Sequence, residues 1–215
     1  MGIDIIIPVY NGYEDIIKCM ESIRRHTDLQ ENRVFLVNDK SPDERILPLL
    51  EKQAEQNIII IDSETNEGFS ASVNKGILAS DRDVILLNSD TVVTENWVEK
   101  IVRCAYSDTS IGTVTPFSNS ATLCSVPKFG VDNEIPVNLT VDEMAEIIEK
   151  VSVHKYPHIT VAVGFCMFIK RSVIQEVGLF DAETFGKGYG EENDFCNRAE
   201  QYGYCHVLCD DTFIY

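Results

Sequence analysis

Three carboxylates fall within four residues, Glu191, Glu192 and Asp194, directly behind glycines at 186, 188 and 190. Like charges this close repel and raise the pKa of at least one of them, a cost that a helix N-terminus offsets through its dipole. A carboxylate held there beside a cleft has the properties of a general base. The ordinary alternative is helix-start chemistry, with Asp194 paired to Arg198 one turn later. The spacing favours pairing for Asp194 and catalysis for Glu192, with Asp194 and Glu191 as substitutes. A second group, Asn88-Ser89-Asp90, follows the apolar run Ile85-Leu86-Leu87. Alternation puts positions 88 and 90 on one side of an extended segment. Asp90 can then offer its carboxylate to a hard cation, Mg²⁺ or Mn²⁺, that also takes diphosphate oxygens. Asp90 could instead cap the next helix, although Thr94 is better placed for that. The glycines are no phosphate loop, because they do not fit G-x-G-x-x-G and follow no strand.

These groups need a scaffold, and the apolar pattern supplies one. Ile3 to Val9 is a near-continuous apolar run, as in a strand buried on both faces. Ile16, Ile17, Met20 and Ile23 have helical spacing over 13–25. Strands at 34–37, 58–61 and 84–87 then alternate with helices at 43–55 and 69–79, which predicts an α/β open sheet of mostly parallel strands. Further on, the pattern predicts a helix at 94–106, a strand at 111–115 and an irregular stretch over 116–138. A capping box at Thr140-Val-Asp-Glu143 opens a helix to about 152. The remainder reads as strand 160–169, helix 171–177, helix 191–202 and strand 205–209, ending on the apolar run Phe213-Ile214-Tyr215. That ending predicts a domain cut from a longer protein.

Ligands in such sheets bind outside the carboxyl ends of the strands. Pro8-Val9-Tyr10-Asn11, Asn38-Asp39-Lys40-Ser41, Asn66-Glu67-Gly68-Phe69 and Asn88-Ser89-Asp90 follow the first four strands. Each alone reads as turn and cap chemistry. All four together put polar side chains along one edge.

Composition bounds the partners. The 215 residues carry 18 basic and 35 acidic side chains, a formal charge of −17, which excludes a general nucleic-acid binder and charge-driven docking on anionic lipid. Hydrophobic residues make up 44%, ordinary for a globular domain. Seven cysteines without C-x-x-C predict buried free thiols in a reducing compartment, and Cys196, Cys205 and Cys209 lack zinc spacing. His26, His154 and His158 read as surface or turn residues, His206 as core or edge, and Trp97 as packing. No apolar run reaches the ~18 residues of a membrane span. Ile6 stands where Met1-Gly2 myristoylation needs Ser or Thr, and the sequon at Asn138 has no secretory context. The expectation is a cytoplasmic chain.

Taken in order, these motifs resemble the family 2 glycosyltransferases. The resemblance is carried by Ile5-Ile6-Ile7-Pro8-Val9-Tyr10-Asn11, Asn38-Asp39-Lys40-Ser41, Asn66-Glu67-Gly68-Phe69 through Asn74-Lys75-Gly76, Leu86-Leu87-Asn88-Ser89-Asp90, Gly164-Phe165-Cys166-Met167 and Gly190-Glu191-Glu192-Asn193-Asp194. It implies a GT-A fold, an open, mostly parallel twisted sheet flanked by helices. One domain would cover 1–215, with a nucleotide-sugar-binding half at 1–115 and an acceptor-binding and catalytic half at 116–215. Pro8, Val9, Tyr10 and Asn11 would line the nucleotide pocket, together with Phe69, Asn88 and Ser89, and Asp39 would bind the base. Asn66, Gly68 and Lys75 would lie near the ribose and diphosphate, Asp90 would ligate Mg²⁺ or Mn²⁺, and Gly164, Phe165 and Cys166 would face the acceptor with the loop at 116–130. Glu192 stands where the family has its catalytic Asp, one methylene longer. Many members add a metal-binding His after the last strand, about where this sequence reaches Tyr215.

The resemblance implies inverting, metal-dependent transfer from a nucleotide-sugar donor to a glycan or lipid-linked acceptor, with any membrane association supplied by other segments. An Asp reading the base fits uracil or thymine. Two alternatives stay open, a catalytically inactive nucleotide-sugar-binding module and a nucleotidyltransferase. The latter usually carries a Gly-rich, Arg-containing loop after the first strand, which Pro8-Val9-Tyr10-Asn11 is not.

Overall fold

The structure, a computed structural model, describes residues 2–186 and 188–215; Met1 of the Met-Gly pair and position 187 of the glycine-rich loop lie outside them. In chain order the elements are β1 (Asp4–Val9), α1 (Tyr13–His26), β2 (Arg33–Asn38), α2 (Ile46–Gln53), β3 (Ile58–Asp62), α3 (Phe69–Ala79), β4 (Val84–Leu87) and α4 (Trp97–Ala105). They continue with β5 (Ile111–Ser118), α5 (Val141–Val151), β6 (His158–Ile159), β7 (Cys166–Ile169), α6 (Arg171–Val177), α7 (Ala182–Phe185), α8 (Glu191–Gln201) and β8 (Cys205–Ile214). Among the described residues one sheet has the order β3-β2-β1-β4-β7-β5-β8-β6. β3, β2, β1 and β4 run parallel, as do β5 and β8. β7 is antiparallel to both its neighbours and β6 to β8, so the second half is mixed.

β1 shows why the central strands are apolar throughout. Ile5, Ile7 and Val9 join a cluster with Ile16 and Met20 of α1, Leu50 of α2 and Trp97 of α4. Ile6 points to the opposite face, against Val73 and Ile77 of α3, in a cluster with Val173 of α6 and Phe195 of α8. Fully burying each such side chain contributes roughly 1.5–3 kcal/mol. Trp97 is fully buried, its Nε1 donating to Thr27 Oγ1 at 3.0 Å. The capping box at Thr140 and Glu143 is formed.

Three boundaries differ from expectation for identifiable reasons. α4 begins at Trp97, not Thr94, because Asn96 takes a left-handed conformation (φ 56°) and Thr94 Oγ1 donates to the Phe213 carbonyl instead. Of the predicted strand 160–169 only Cys166–Ile169 forms, as β7; residues 160–165 are irregular, with Gly164 packed against Glu192 of α8. β8 runs on to Ile214, past Asp210-Asp211, where its register with β5 shifts between Pro116 and Phe117. Buried Asp211 is matched there by Arg103 and by His154 Nδ1 at 3.0 Å. Burial alone would raise its carboxyl, but hydrogen bonds from Cys209 and Arg103 hold it below the usual value.

Candidate active site

The ends of β1, β2, β3 and β4 open on one cleft of about 500 Å³. Pro8, Val9, Tyr10, Gly12 and Asp15 line it from β1 and the start of α1. Asp39 follows β2, Asn66, Gly68, Phe69 and Ser72 come from the passage into α3, and Asn88, Ser89 and Asp90 follow β4. The turn out of β1 needs two successive left-handed residues, Asn11 (φ 63°) and Gly12 (φ 77°). Asn11 is spent on this turn: its amide donates to Ser41 Oγ at 3.0 Å and its Oδ1 accepts from the Asp43 amide at 3.3 Å. It ties two loops together and does not line the cleft.

Asp39 organises the wall. Its two oxygens each accept one backbone amide, from Glu67 and Gly68, both at 2.8 Å. Its own amide donates to Val9 at 2.9 Å, extending the β1–β2 ladder. Each oxygen keeps a second lone pair for a ligand. Lys75 is held elsewhere, its Nζ 2.8 Å from Ser63 Oγ and 3.0 Å from a Glu67 carboxylate oxygen. Asp90 is exposed at the cleft mouth, in a turn fixed by Thr91 Oγ1 donating to the Asn88 carbonyl at 2.8 Å and by Val92 pairing with Tyr215. β2 and β4 flank β1, so Asp39 and Asp90 stand roughly two strand spacings, ~10 Å, apart.

The acidic cluster begins α8. Gly190 caps it at φ 108°, with Phe185 packed where a Cβ would stand. Glu192 is half-buried and lies against Gly164, where a Cβ would collide with its Oε1. Burial pushes its carboxyl above the ordinary value and the adjacent Glu191 charge adds to this, while hydrogen bonds from the Glu192 and Gly164 backbone pull the other way. The next residue, Phe165, accepts the Asn88 amide at 2.8 Å, so Glu192 is tied to the cleft wall through Gly164 and Phe165. Asp194, a candidate base by sequence, is engaged by Arg198 Nε at 2.8 Å, and Arg198 also donates to the Val177 and Leu179 carbonyls. Glu191 is buried, and its Oε2 has no partner among the described residues.

The match to the sequence profile described as Glycosyl transferase family 2 spans residues 4–178. The chain belongs to this family. Among curated relatives, the glycosyltransferase AglE of Haloferax volcanii is 24% identical over 98% of this chain and 65% of its own length. The poly-beta-1,6-N-acetyl-D-glucosamine synthase of Staphylococcus epidermidis is 24% identical over 85% of this chain and 42% of its own. Among solved structures, GalNAc-T7 with UDP, GalNAc and Mn²⁺ covers 99% of this chain and 43% of its own at a TM-score of 0.77 and 15% identity. The mannosyltransferase PcManGT of Pyrobaculum calidifontis, with GDP-Man and Mn²⁺, covers 99% of this chain and 55% of its own at 0.70 and 14% identity. The fold is therefore GT-A, and the chain spans about a third to two thirds of the length of the proteins it matches.

Against this family frame, the cleft contains every expected donor-side residue except Asn11 and Lys75, with Asp90 among them. Cys166 departs from its expected role: its thiol is fully buried in the core, which raises its pKa well above the usual value, and its carbonyl accepts Thr115 Oγ1 at 3.1 Å. His206 is interior, bonded to Thr113 Oγ1 and to the Cys196 carbonyl, and burial lowers its pKa. Gly12, Asp15 and Ser72 line the cleft without having been singled out in the sequence; Ser72 reads there as an ordinary helical residue. Among the described residues no three His, Cys, Asp or Glu side chains form a metal cluster. An exposed carboxylate such as Asp90 at the mouth of a polar cleft still suits a hard cation that takes its other oxygens from a diphosphate and water. No helix among the described residues is long and apolar enough to cross a membrane.

Proposed function

We propose that this chain is the catalytic domain of an inverting glycosyltransferase, moving a sugar from a nucleoside-diphosphate donor to a hydroxyl of a glycan or lipid-linked acceptor. The observation that carries this reading is the placement of Glu192, a half-buried carboxyl with a raised pKa, one residue contact from the wall of the cleft. Glu192 takes the proton of the acceptor hydroxyl while that oxygen bonds to the anomeric carbon, and the bond to the diphosphate breaks with its electrons on the leaving oxygen. Asp39 holds the Glu67-Gly68 loop and meets the base of the donor, with uracil or thymine the best fit to a single acceptor carboxylate. Asp90 would hold Mg²⁺ or Mn²⁺, which when bound neutralises charge on the diphosphate.

The ligands named for related structures, UDP and Mn²⁺ for GalNAc-T7 and GDP-Man and Mn²⁺ for PcManGT, support a nucleoside-diphosphate donor. The poly-N-acetylglucosamine synthase supports a polysaccharide acceptor. Seven unpaired thiols fit a reducing, cytoplasmic setting, with membrane association left to segments outside this stretch. The test is Glu192→Gln. A positioned base contributes ~10²–10⁴-fold, so transfer should fall by that factor while donor affinity is kept. Full turnover in the variant would remove Glu192 from the mechanism.

A further inference from the structure

The wall of the cleft and the carboxyl of Glu192 stand on different elements. Gly68, Phe69 and Ser72 line the cleft at the start of α3, while Glu192 lies in the first turn of α8. Transfer needs the two at a fixed separation, since a reacting group about 1 Å out of place costs roughly 10²-fold in rate. Asn74, in the middle of α3, connects them. Its whole carboxamide is bonded to the backbone of Phe180, 106 residues further along the chain. Asn74 Nδ2 donates to the Phe180 carbonyl at 2.8 Å, and the Phe180 amide donates to Asn74 Oδ1 at 3.0 Å.

Phe180 is buried and belongs to the passage between α6 and α7. Its ring stacks on that of Phe195 in α8, with centroids 4.7 Å apart and planes at 14°. Phe195 lies three residues after Glu192, and side chains at that spacing are neighbours on a helix. α8 grips the same passage through Arg198, which donates to the Val177 carbonyl at 2.7 Å and to the Leu179 carbonyl at 2.9 Å. Residues 177–180 are thus a spacer, bonded to α3 at Phe180 and to α8 at its carbonyls and rings. The surrounding contacts are apolar, among Val73, Ile77, Val173 and Phe195. Apolar contact is non-directional and tolerates a slide. Two hydrogen bonds to one residue's backbone do not, because each weakens steeply with angle.

We infer that Asn74 is a positioning residue for the transfer reaction, fixing Glu192 relative to the donor wall through Phe180 and Phe195. This rests on the reading of Glu192 as the base. Asn32 supplies the control. It also bonds two backbone groups, accepting the Ile3 amide and donating to the Asp28 carbonyl, both at 2.9 Å. Asn32 and Ile3 precede β2 and β1, at the opposite end of the sheet from the cleft.

The experiment compares wild type, Asn74→Ala and Asn32→Ala by melting temperature, by calorimetric titration of UDP with Mn²⁺, and by NMR titration of the Glu192 carboxyl. Labelling is with ¹³C-glutamate, and the Glu192 signal is the one lost in Glu192→Gln. Both asparagine variants should melt lower, because each leaves two backbone groups without their partner, and both should bind UDP as wild type does. Only Asn74→Ala should move Glu192. Released from its packing against Gly164, the carboxyl should titrate closer to the ordinary glutamate value of about 4.3. Asn74→Asp, isosteric and still accepting the Phe180 amide, should shift it the same way and serves if the alanine variant does not fold. An unmoved Glu192 in a destabilised Asn74 variant, or an equal shift in Asn32→Ala, would overturn the proposal and leave Asn74 a structural residue. Weaker UDP binding in the Asn74 variants alone would overturn it too, by placing the effect on the cleft wall. A wild-type Glu192 that titrates at the ordinary value would bring down the buried-base reading itself, before any asparagine variant is compared.

Discussion

The carboxylate of Glu192 lies against Gly164 with no room for a methyl group between them. The Gly164 backbone also draws the pKa of that carboxyl down against the effect of burial, and Phe165 beside it bonds Asn88 on the cleft wall. Gly164→Ala should therefore displace the base without disturbing the donor cleft. Misplacement by about 1 Å costs roughly 10²-fold in rate. Transfer should fall by about that factor with donor affinity and circular dichroism unchanged, and a fully active Gly164→Ala would show that Glu192 need not stay where it is.

The raised carboxyl of Glu192 gives two pH effects of fixed sign. The base works ionised, so the acid limb of the kcat/KM profile should lie above the ordinary glutamate value of about 4.3. For stability, a folded-state pKa above the unfolded one means that protonation favours the fold. That contribution is fully present below the unfolded pKa and is lost as pH rises through the folded one. Glu192→Gln should accordingly melt higher than wild type at pH 7, with the difference closing below about pH 4. Melting curves from pH 4 to 8 check this.

Asp39 accepts two backbone amides that Asn cannot both satisfy, because one oxygen becomes an amide donor facing an N–H. Charge-assisted bonds of this kind are worth about 1.5–3 kcal/mol. Asp39→Asn should lose about 2 kcal/mol in urea unfolding and most of its nucleotide affinity.

Asp194 should behave oppositely to Glu192. Its pair with Arg198 is partly exposed, 30% and 27% for the two side chains, and such pairs contribute under ~1 kcal/mol. Asp194→Asn should cost that much stability and leave kcat within a few-fold of wild type in a single-turnover assay.

The sheet was legible where burial on two faces forces an apolar run, as in Ile5-Ile6-Ile7 and Val84-Ile85-Leu86-Leu87. β8 was legible only to Cys209, since Asp210-Asp211 reads as a polar break and the side chains that match Asp211 come from residues 103 and 154. The start of α4 was misread for a similar reason: the Thr94 hydroxyl answers a carbonyl 119 residues away. The cleft followed from the rule for strand ends, so Asp39, Asn66 and Asp90 were found. Lys75 and Asn11 stand off the cleft lining, with polar atoms engaged by Ser63, Glu67, Ser41 and Asp43, pairings that residue type alone does not reveal. Ser72 carries no sequence signal: its place on the cleft lining depends on which face of α3 meets β1, and that is set by the contact of Gly76 with Ile6.

The most direct test is a thermal-shift panel of UDP, dTDP, GDP and CDP, each with and without Mn²⁺, on wild type and Asp90→Ala. A ligand at 100 times its Kd adds about 2.7 kcal/mol, a clear rise in Tm. The account predicts that UDP or dTDP stabilises the wild type, that Mn²⁺ increases the shift, and that Asp90→Ala abolishes the Mn²⁺-dependent part. Shifts that are absent for all four nucleotides, or identical in Asp90→Ala, would contradict it.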